Sequence, residues 1–515
     1  MGKGTLCPCR KESVMTFNRN TLITVMLLAS EGLNAKDVKV NFMPDTTTVL
    51  RNPLSGWVMY LGRQWTDCFW SEQGYDSMPI CNGDSTVRVS DYATTCYIRT
   101  SWSSLEPEEG KYAWADPGSR FMRLVGSCLQ RGMRLAFRIV VDSRDQGQNT
   151  PLYVRDAGAL GFADPNNPNH WSPYPDDSVF QEKYAAFVRA FGREFDNPDK
   201  VDFIDAFGLG KWGEAHGLRY HDYGNKEKVF DWITDLYSGV FAKVPLFINY
   251  HRLVGDTVSW AAPNPDSRRL LEGAISKGYS LRHDAFGMTG YYQGWEESFA
   301  REWAFRRPVI MEGGWITGGQ HRYWIDPSGA YRRGHSEDVR RGEFASSRDA
   351  HANMMDFRVG DETRSWFNSA FDLVKAFVAH GGYRLYPCRA ELPDRARRGS
   401  AVTVRHWWRN IGWGYCPTNI PQWNQKYKAC VALMAADGTI VRKAVASDSD
   451  LSTWIAGRDA CYATDVSTAG LPKGVYTWLL GLVDTTKGCE PGLDVAVAPW
   501  LKAGRWVAAG KIAVK

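Results

Sequence analysis

Two glutamates near the middle of the chain each follow an apolar run, and a pair of carboxyl groups can perform acid–base chemistry. Glu214 follows a strand-like run over residues 201–207 that ends in glycines, and Glu312 closes a second run over residues 308–312. Hydrolysis of a glycosidic bond uses one carboxyl group to protonate the leaving oxygen and another to attack the anomeric carbon or to activate water. The two glutamates therefore predict glycoside hydrolysis if the fold brings them together over one sugar.

The chain around these glutamates alternates between strand-like and helical patterns, as is typical of a parallel sheet. Eight strands are predicted, at residues 57–61, 95–102, 133–141, 201–207, 244–251, 279–287, 307–315 and 383–387. The last two predicted helices cover residues 343–354 and 363–380. We predict the α/β fold class and a (β/α)8 TIM barrel, in which catalytic residues lie at the C-terminal ends of the strands. Glu214 follows the fourth strand and Glu312 ends the seventh, so we expect them to face each other across the rim.

An open, doubly wound sheet is the alternative arrangement for such alternating elements. The lack of a glycine-rich phosphate turn after the first predicted strand argues against it. After residue 390 the helical patterns stop, and short strands with intervening turns follow, which predicts an antiparallel β-sandwich. The predicted domains are a leader over residues 1–35, the catalytic barrel over residues 36–390 and the sandwich over residues 391–515.

The N-terminus has the pattern of an export signal. A basic start at Arg19 precedes an apolar run over residues 22–29 and a small-residue cleavage site that ends at Ala35. An ordinary first helix is the alternative, and the run is too short to span a bilayer. We therefore expect a protein exported to the periplasm, the cell surface or the medium of a bacterium, with no membrane span once the leader is removed.

Export would permit disulfide bonds. The predicted bridges are Cys68 with Cys81, and one pair drawn from Cys416, Cys430, Cys461 and Cys489.

Metal, cofactor and nucleic-acid chemistry are not favoured by the sequence. After the leader no CxxC spacing occurs, and none of the ten histidines forms an HxH or HExxH pair, so we predict no metal and no cofactor. A net charge of +5 without a long basic run gives no support to nucleic-acid binding. The 22 tryptophans include candidates for stacking on sugar faces, which is consistent with a carbohydrate partner.

One segment resembles a known group of enzymes. Residues 102–114 place a tryptophan before a Glu-Pro-Glu-Glu-Gly-Lys-Tyr run, directly after the second predicted strand. This is similar to a segment of clan A, the retaining glycoside hydrolases built on β/α barrels, and Glu214 and Glu312 match that clan's catalytic positions. From about residue 50 onwards the chain also resembles a bacterial family of glycosidase-like barrels with a trailing sandwich, known only as a domain of unknown function.

The resemblance implies a retaining double displacement, with Glu214 as general acid/base and Glu312 as nucleophile. The acid/base needs a raised pKa, which desolvation by Trp212 would supply and Lys211 would oppose. The nucleophile must stay ionised, and a neighbouring arginine could keep it so. Arg99 matches the arginine that lies beneath the nucleophile in the clan, and Arg138 on the next predicted strand is a second candidate.

Further candidates for substrate binding come from the ends of the predicted strands and from the rim loops. They are Arg99, Trp102, Arg138, Lys211, Trp212, His216, Asn249, Tyr250, Arg282, Asp284 and Trp315. Tyr250 could hydrogen-bond the nucleophile, and His216 could equally be a loop histidine with a structural role. Arg282 and Asp284 alternate along the sixth strand and share a face, so they either bind sugar hydroxyls or pair with each other. Three more tryptophans are candidates for stacking or for packing, at positions Trp65, Trp171 and Trp324.

The chain departs from the clan at two positions. Gly213 stands where the clan has an asparagine that contacts the sugar 2-hydroxyl, and the tryptophan usual on the eighth strand is absent near Tyr386. The first departure favours an alternative function, a non-catalytic glycan-binding protein on the same barrel. Long loops after the first, third and seventh predicted strands suggest a walled pocket and therefore exo action.

Overall fold

A computed structural model describes residues 36–61, 68–80, 85–142, 147–164, 167–257, 263–284, 286, 292–317, 331–332 and 334–515. The predicted leader, together with Trp65, Cys81 and Trp324, lies outside the described residues.

The strands of the described residues follow in chain order. They are β1 Asp37–Asn41, β2 Gly56–Leu61, β3 Met78–Ile80, β4 Ser85–Val87, β5 Ala93–Ser101, β6 Arg134–Val140, β7 Gly161–Ala163, β8 Trp171–Pro173, β9 Val201–Asp205, β10 Leu246–Asn249, β11 Tyr279–Asp284, β12 Val309–Glu312, β13 Met354–Asp356, β14 Leu385–Pro393, β15 Arg395–Ala396, β16 Ala401–Asn410, β17 Tyr427–Met434, β18 Ile440–Val445, β19 Asp459–Ser467, β20 Gly474–Asp484, β21 Glu490–Leu493, β22 Lys502–Ala503 and β23 Trp506–Val514.

The α-helices of the described residues lie between the barrel strands along the chain, except for the last two, which follow the final barrel strand β13. They are α1 Phe69–Glu72, α2 Trp102–Leu105, α3 Arg120–Gln130, α4 Leu152–Asp156, α5 Ser178–Phe195, α6 Lys226–Val240, α7 Ser267–Ser276, α8 Gly294–Trp303, α9 Ser336–Asp349, α10 Asp361–Ser369 and α11 Phe371–His380.

Eight parallel strands close into a barrel, which confirms the predicted fold class. The strands run in the order β2, β5, β6, β9, β10, β11, β12 and β13, and β13 pairs back to β2. Seven of them lie within or over the predicted strands. The longest helix of the described residues, α5, has buried side chains at helical spacing, among them Phe180, Tyr184, Phe187 and Phe191. One face of this helix therefore packs on the outside of the barrel sheet.

The eighth predicted strand is wrong. Residues 385–387 of this prediction begin β14, which pairs antiparallel with β1 and β16 and not with the barrel. The barrel closes instead through β13, whose Met354 is aligned with Ile310 of β12 and with Gly56 of β2. A strand of three residues without β-branched side chains has little propensity signal, and the predicted helix over residues 343–354 covered its first residue.

The C-terminal region forms two further sheets that share one core, in agreement with the predicted antiparallel sandwich. One sheet has the order β1, β14, β16, β19, and the other has the order β15, β23, β20, β17, β18. Side chains of both sheets, such as Trp408 and Leu480, belong to one apolar cluster. Strand β14 spans the predicted domain boundary at residues 390 and 391, and β1 at the start of the described chain joins the same sheet.

The predicted disulfides are not formed where the structure describes the cysteines. Cys416, Cys430 and Cys489 are free thiols, so no pair exists among the C-terminal candidates, and Cys68 is free as well. Cys416 and Cys430 are instead buried in the apolar core. Among the described residues no helix has the length and apolarity needed to cross a bilayer.

Candidate active site

The inward-facing residues at the C-terminal ends of the barrel strands form one charged cluster. Side chains alternate along a strand, so apolar residues such as Phe203 and Ile310 fill the barrel interior, and the next inward positions are Asp205 and Glu312. On β6, Arg138 is aligned with Asp205, and on β11, Asp284 is aligned with Glu312 while Arg282 lies two residues before it on the same face. The barrel therefore buries acidic and basic groups in a single layer below its rim.

Glu312 is held by three guanidinium groups, which we call the arginine cluster, Arg138, Arg282 and Arg358. Arg138 Nη2 donates to both carboxylate oxygens of Glu312, at 2.9 and 3.1 Å. Arg282 Nη1 and Arg358 Nη1 each donate to one of the same oxygens. Burial alone would raise the pKa of Glu312, but the three positive charges outweigh it and lower the pKa to about 2. Glu312 is thus ionised at neutral pH, as the predicted nucleophile must be.

Glu214 reaches the same cluster from the loop after β9. Arg138 Nη1 donates to Glu214 Oε1 at 2.8 Å, and His216 Nε2 lies 3.5 Å from Glu214 Oε2. Burial raises the pKa of Glu214, but the hydrogen bond from His216 and the charges of Arg138 and Arg282 hold it well below its usual range. The expectation of a raised pKa for Glu214 is therefore wrong, because Glu214 lies beside arginine side chains and not only beside the indole of Trp212.

The backbone of the Glu214 loop is unusual and explains the missing asparagine. Gly213 has φ +76°, and its two neighbours in the loop Trp212 and Ala215 also have positive φ values of 57° and 61°. A Cβ atom at position 213 would lie 3.3 Å from Gly208 Cα and 3.5 Å from Arg138 Cδ. Asparagine at this position would be strained and crowded, so the glycine allows Glu214 to approach Arg138.

Asp284 completes a group of three neighbouring carboxyl groups. One oxygen from each of Glu214, Asp284 and Glu312 lies within 4.8 Å of the other two. Arg282 Nη1 donates to Asp284 Oδ1 at 2.6 Å, and Arg358 Nη2 lies 3.8 Å from Asp284 Oδ2. Burial and the charges of Glu214 and Glu312 nevertheless raise the pKa of Asp284 to about 7.

Two more buried acids support the cluster from below and from the side. Tyr97 donates to Asp205 Oδ2 at 2.7 Å, and Arg282 Nε lies 2.7 Å from the same oxygen. Asp356 on β13 accepts a hydrogen bond of 2.6 Å from the backbone of Gly313, directly after Glu312. Burial raises the pKa of Asp356 to about 7, although Arg358 opposes the change.

The three carboxyl groups are close enough to surround a cation, but their charge is already compensated. The arginine cluster contacts Glu312 on both oxygens and Glu214 on one, so a metal ion would meet three fixed positive charges. The donor set therefore does not fit a divalent metal.

Several predicted binding residues lie in or beside this cluster. Arg138, Arg282, Asp284 and His216 contact the catalytic candidates, and Arg282 with Asp284 also form the buried pair that was one of the two alternatives. Asn249 faces inward next to Arg282, and within the described residues neither polar atom of its side chain has a hydrogen-bond partner. Trp315 is 44% exposed, and its ring lies 5.2 Å from the guanidinium carbon of Arg358.

Other predicted binding residues take different places. Trp102 is buried, donates to Glu106 at 2.7 Å and packs against α5, so it belongs to the core. Tyr250 packs against Phe299 on the outer face of the barrel and does not reach Glu312. Arg99 donates to the Tyr60 hydroxyl at 3.0 Å. The predicted nucleophile Glu312 is contacted by the arginine cluster and not by Arg99.

Two candidates flank Glu214 on its loop, and a third lies farther along the rim. The Nζ atom of Lys211 lies 4.1 Å from the ring centroid of Trp212, whose ring in turn stands edge-on to His216. Trp171 is partly buried and packs against the main core.

Sequence reasoning missed Arg358 and Asp356. Both depend on β13, which was not predicted as a strand: the predicted helix over residues 343–354 covers only its first residue, and residues 355–362 are assigned to no element, so the position of the two side chains at the rim could not be inferred. The signal that could have found them is the Met-Met-Asp-Phe-Arg run over residues 354–358, in which a short apolar strand opens into alternating charges.

No protein-family model matches the chain, and no curated protein is similar to it. The solved structures that show limited similarity include the following three. The catalytic domain of β-amylase from Paenibacillus polymyxa has 10% identity and a TM-score of 0.39, over 63% of this chain and 98% of that one. Xylanase B from Clostridium stercorarium F9 has 15% identity and a TM-score of 0.33, over 56% and 88%. Endo-glycoceramidase II from Rhodococcus sp. has 13% identity and a TM-score of 0.35, over 80% and 97%.

These structures carry the names of glycan-cleaving enzymes, the kind of enzyme that the sequence resembles. Their similarity to this chain is too low to support a function by itself. What the structure itself shows is the class of fold, a closed barrel of eight parallel strands with a cluster of buried charged groups at the C-terminal ends of its strands.

Proposed function

We propose that the protein is a retaining glycoside hydrolase with Glu312 as nucleophile and Glu214 as its acid/base partner. The observation that carries the proposal is the approach of one Glu214 oxygen to within 4.8 Å of a Glu312 oxygen at the C-terminal rim of the barrel. Retaining enzymes hold their two carboxyl groups about 5–5.5 Å apart, whereas inverting enzymes need about 6.5–9.5 Å to admit a water. The short separation favours retention.

The charges around Glu312 suit a nucleophile that forms and releases a covalent intermediate. Its low pKa keeps it ionised for attack on the anomeric carbon, and it makes the carboxylate a good leaving group when water attacks the intermediate. The arginine cluster is rigidly placed, because each guanidinium also contacts a second group, as Arg282 contacts Asp205 and Arg358 contacts Gly313.

The exposed face of Trp315 provides a wall on which a sugar ring could stack. Two buried glutamates hold the loop that carries Trp315 by its backbone. Gly314 N donates to Glu343 at 2.7 Å, and Ile316 N donates to Glu362 at 2.7 Å. Arg340 pairs with both of these glutamates. A sugar subsite beside Glu312 is consistent with this arrangement.

Export and exo action are parts of the proposal that depend on the sequence. The leader pattern over residues 1–35 supports export, and the long loops after the first, third and seventh barrel strands support a pocket that takes the end of a glycan. N-terminal sequencing of protein secreted from an expressing bacterium tests the first. Analysis of the earliest products from a defined oligosaccharide tests the second.

The function is tested with wild type, Glu312→Gln and Glu214→Gln on a panel of glycans and aryl glycosides. We expect hydrolysis by wild type and a loss of kcat/KM of at least about 1,000-fold in Glu312→Gln, because attack then lacks its nucleophile. Proton NMR of the first product should show the anomeric configuration of the substrate.

The matched control is Glu302→Gln, whose side chain is 44% exposed in its ion pair with Arg268 and far from the rim layer. It should keep wild-type activity. Equal activity of wild type and Glu312→Gln would refute the assignment, and glycan binding without any release of reducing sugar would favour the non-catalytic alternative.

A further inference from the structure

A third carboxyl group, Asp284, shares the site with the two proposed catalytic glutamates and is the most accessible of the three. Its side chain is 15% exposed, compared with 5% for Glu214 and 2% for Glu312. It lies at the end of β11 on the inward face, where a group bound at the rim would meet it first. Glu214, by contrast, is turned toward Arg138 and His216.

The count of buried charges shows where a proton can reside. Five carboxyl groups of the layer, Asp205, Glu214, Asp284, Glu312 and Asp356, face the three guanidiniums of the arginine cluster. Burying two uncompensated negative charges would be costly, so the layer as a whole favours holding two protons.

The contacts decide which acids hold these protons. Glu312 and Glu214 have the closest cationic contacts, whereas Asp284 faces Arg282 and Arg358 on one side and both glutamates on the other. Asp356 faces Arg358 and Glu312. The pKa values agree with these contacts: the pKa is lowered for Glu214 and Glu312 and raised to about 7 for Asp284 and Asp356. Burial also raises the pKa of Asp205, but this acid lies deeper, between Arg138 and Arg282. Of the acids with a raised pKa, only Asp284 lies in the group of three at the rim.

We propose that Asp284 is the proton donor of the first chemical step, so that the acid half of the acid/base role belongs to Asp284 and the base half to Glu214. The proposal rests on the glycoside hydrolase function proposed above. As the Glu312 carboxylate forms a bond to the anomeric carbon, the bond from that carbon to the leaving oxygen breaks. The leaving oxygen takes the proton of the Asp284 carboxyl group.

The charge of the layer is conserved through this sequence. When Glu312 loses its negative charge in the ester, Asp284 gains one, and the arginine cluster still faces the same number of carboxylates. In the second step water attacks the anomeric carbon, Glu214 accepts the water's proton, and the bond to Glu312 breaks. The proton then passes from Glu214 to Asp284 through one bridging water, because the two oxygens lie within 4.8 Å of each other without a direct hydrogen bond, and this transfer restores the starting state.

The kinetic test compares Asp284→Asn with Glu214→Gln on aryl glycosides whose leaving groups differ in pKa. We expect Asp284→Asn to lose about 100- to 10,000-fold in kcat/KM on poor leaving groups and little on a dinitrophenyl glycoside, which needs no acid. Glu214→Gln should instead release a burst of dinitrophenol and then turn over slowly. The reverse assignment of these two patterns would overturn the proposal.

A second measurement does not depend on turnover. Infrared difference spectra of the intact protein, recorded on titration from pH 5 to pH 9, should show a protonated carboxyl band that disappears near pH 7 and loses intensity in Asp284→Asn. An unchanged band in Asp284→Asn would overturn the proposal. In Glu214→Gln the band should persist at low pH with its midpoint moved to lower pH, because one of the charges that raise the pKa of Asp284 is removed. If wild type cleaves no glycoside while the infrared result holds, the proposed function fails and the protonated state of Asp284 stands.

Discussion

At the scale of single residues, Arg358 is the group that tests how the nucleophile is kept ionised. Arg358→Met removes one of the three positive charges on Glu312, so the pKa of Glu312 should rise above about 2. Glu312 must be ionised to attack, so the acidic limb of the kcat/KM profile should move to higher pH. Loss of one charged donor from such a site costs about 100-fold in rate.

The pH profile between pH 3 and pH 9 measures this effect, because the wild-type limb near pH 2 lies below this range and a raised pKa of Glu312 would bring the limb into it. Arg348→Met is the control, since the Arg348 side chain is 57% exposed and pairs with Asp349 at the surface. An Arg358→Met variant whose acidic limb coincides with that of wild type would show that Arg138 and Arg282 alone set the charge state of Glu312.

Which residues could be predicted depends on whether their strand was recognised. The alternation of Arg282 and Asp284 placed both on one face of β11, and the structure shows them on the inward face. Arg358 could not be predicted in the same way, because no strand was predicted at β13, of which only the first residue fell in a predicted helix. The low pKa of Glu214 could not be predicted from the sequence either. It depends on His216 and Arg138, and the loop geometry sets the distances from these side chains to the carboxylate.

At the scale of elements, the loop after β9 depends on Gly213. Gly213→Ala should destabilise the protein by about 1–3 kcal/mol, since alanine is strained at positive φ and its Cβ would press on the Gly208 backbone. Activity should fall with stability, because Glu214 is the next residue. Denaturant unfolding and kcat/KM measure the two effects.

Gly110→Ala separates strain from crowding in this prediction. Gly110 has φ +74°, close to that of Gly213, but a Cβ there would have no heavy atom within 4 Å. We expect Gly110→Ala to lose only the conformational part of the stability and to keep activity. Equal losses in both variants would show that the packing of Gly213 against Gly208 and Arg138 is unimportant.

The elements also show why most of the barrel, but not its closure, was predictable. Seven strands carry apolar runs long enough to be recognised, whereas β13 has three residues. The prediction of a strand near residues 383–387 was correct, because β14 lies there. Its assignment to the barrel was wrong, because β14 pairs with β1 and β16. Partners more than 300 residues apart along the chain, such as Asp37 and Pro393, leave no mark in a local pattern.

At the scale of the whole molecule, the sandwich closes the end of the barrel that lies opposite the site. Asn52, before β2, exchanges two hydrogen bonds with the backbone of Asp494, at 2.9 and 2.7 Å. Asn353, before β13, donates to Tyr415 O at 2.9 Å. These contacts lie at the N-terminal ends of the barrel strands, so the rim that carries the glutamates is left for substrate.

The protons held in the charged layer make the stability of the whole molecule depend on pH. The pKa of Asp356 is raised from 3.8 to about 7, so the folded state binds a proton that the unfolded state releases between these values. Its contribution to stability is therefore complete below pH 3.8 and is lost as the pH rises through 7. Over about three pH units this amounts to at most about 4 kcal/mol.

Asp356→Asn removes this dependence, because the amide oxygen can still accept from Gly313 without binding a proton. We expect the variant to match wild type near pH 4 and to be more stable than wild type by about 1–4 kcal/mol at pH 8. Urea unfolding at pH 4, 6 and 8 measures the difference, with Asp231→Asn, 68% exposed, as the surface control. Glu312 contributes the opposite sign, but its stabilisation is lost only as the pH falls from 4.5 toward 2, outside most of this window. A constant difference between Asp356→Asn and wild type from pH 4 to pH 8 would contradict the storage of a proton at Asp356.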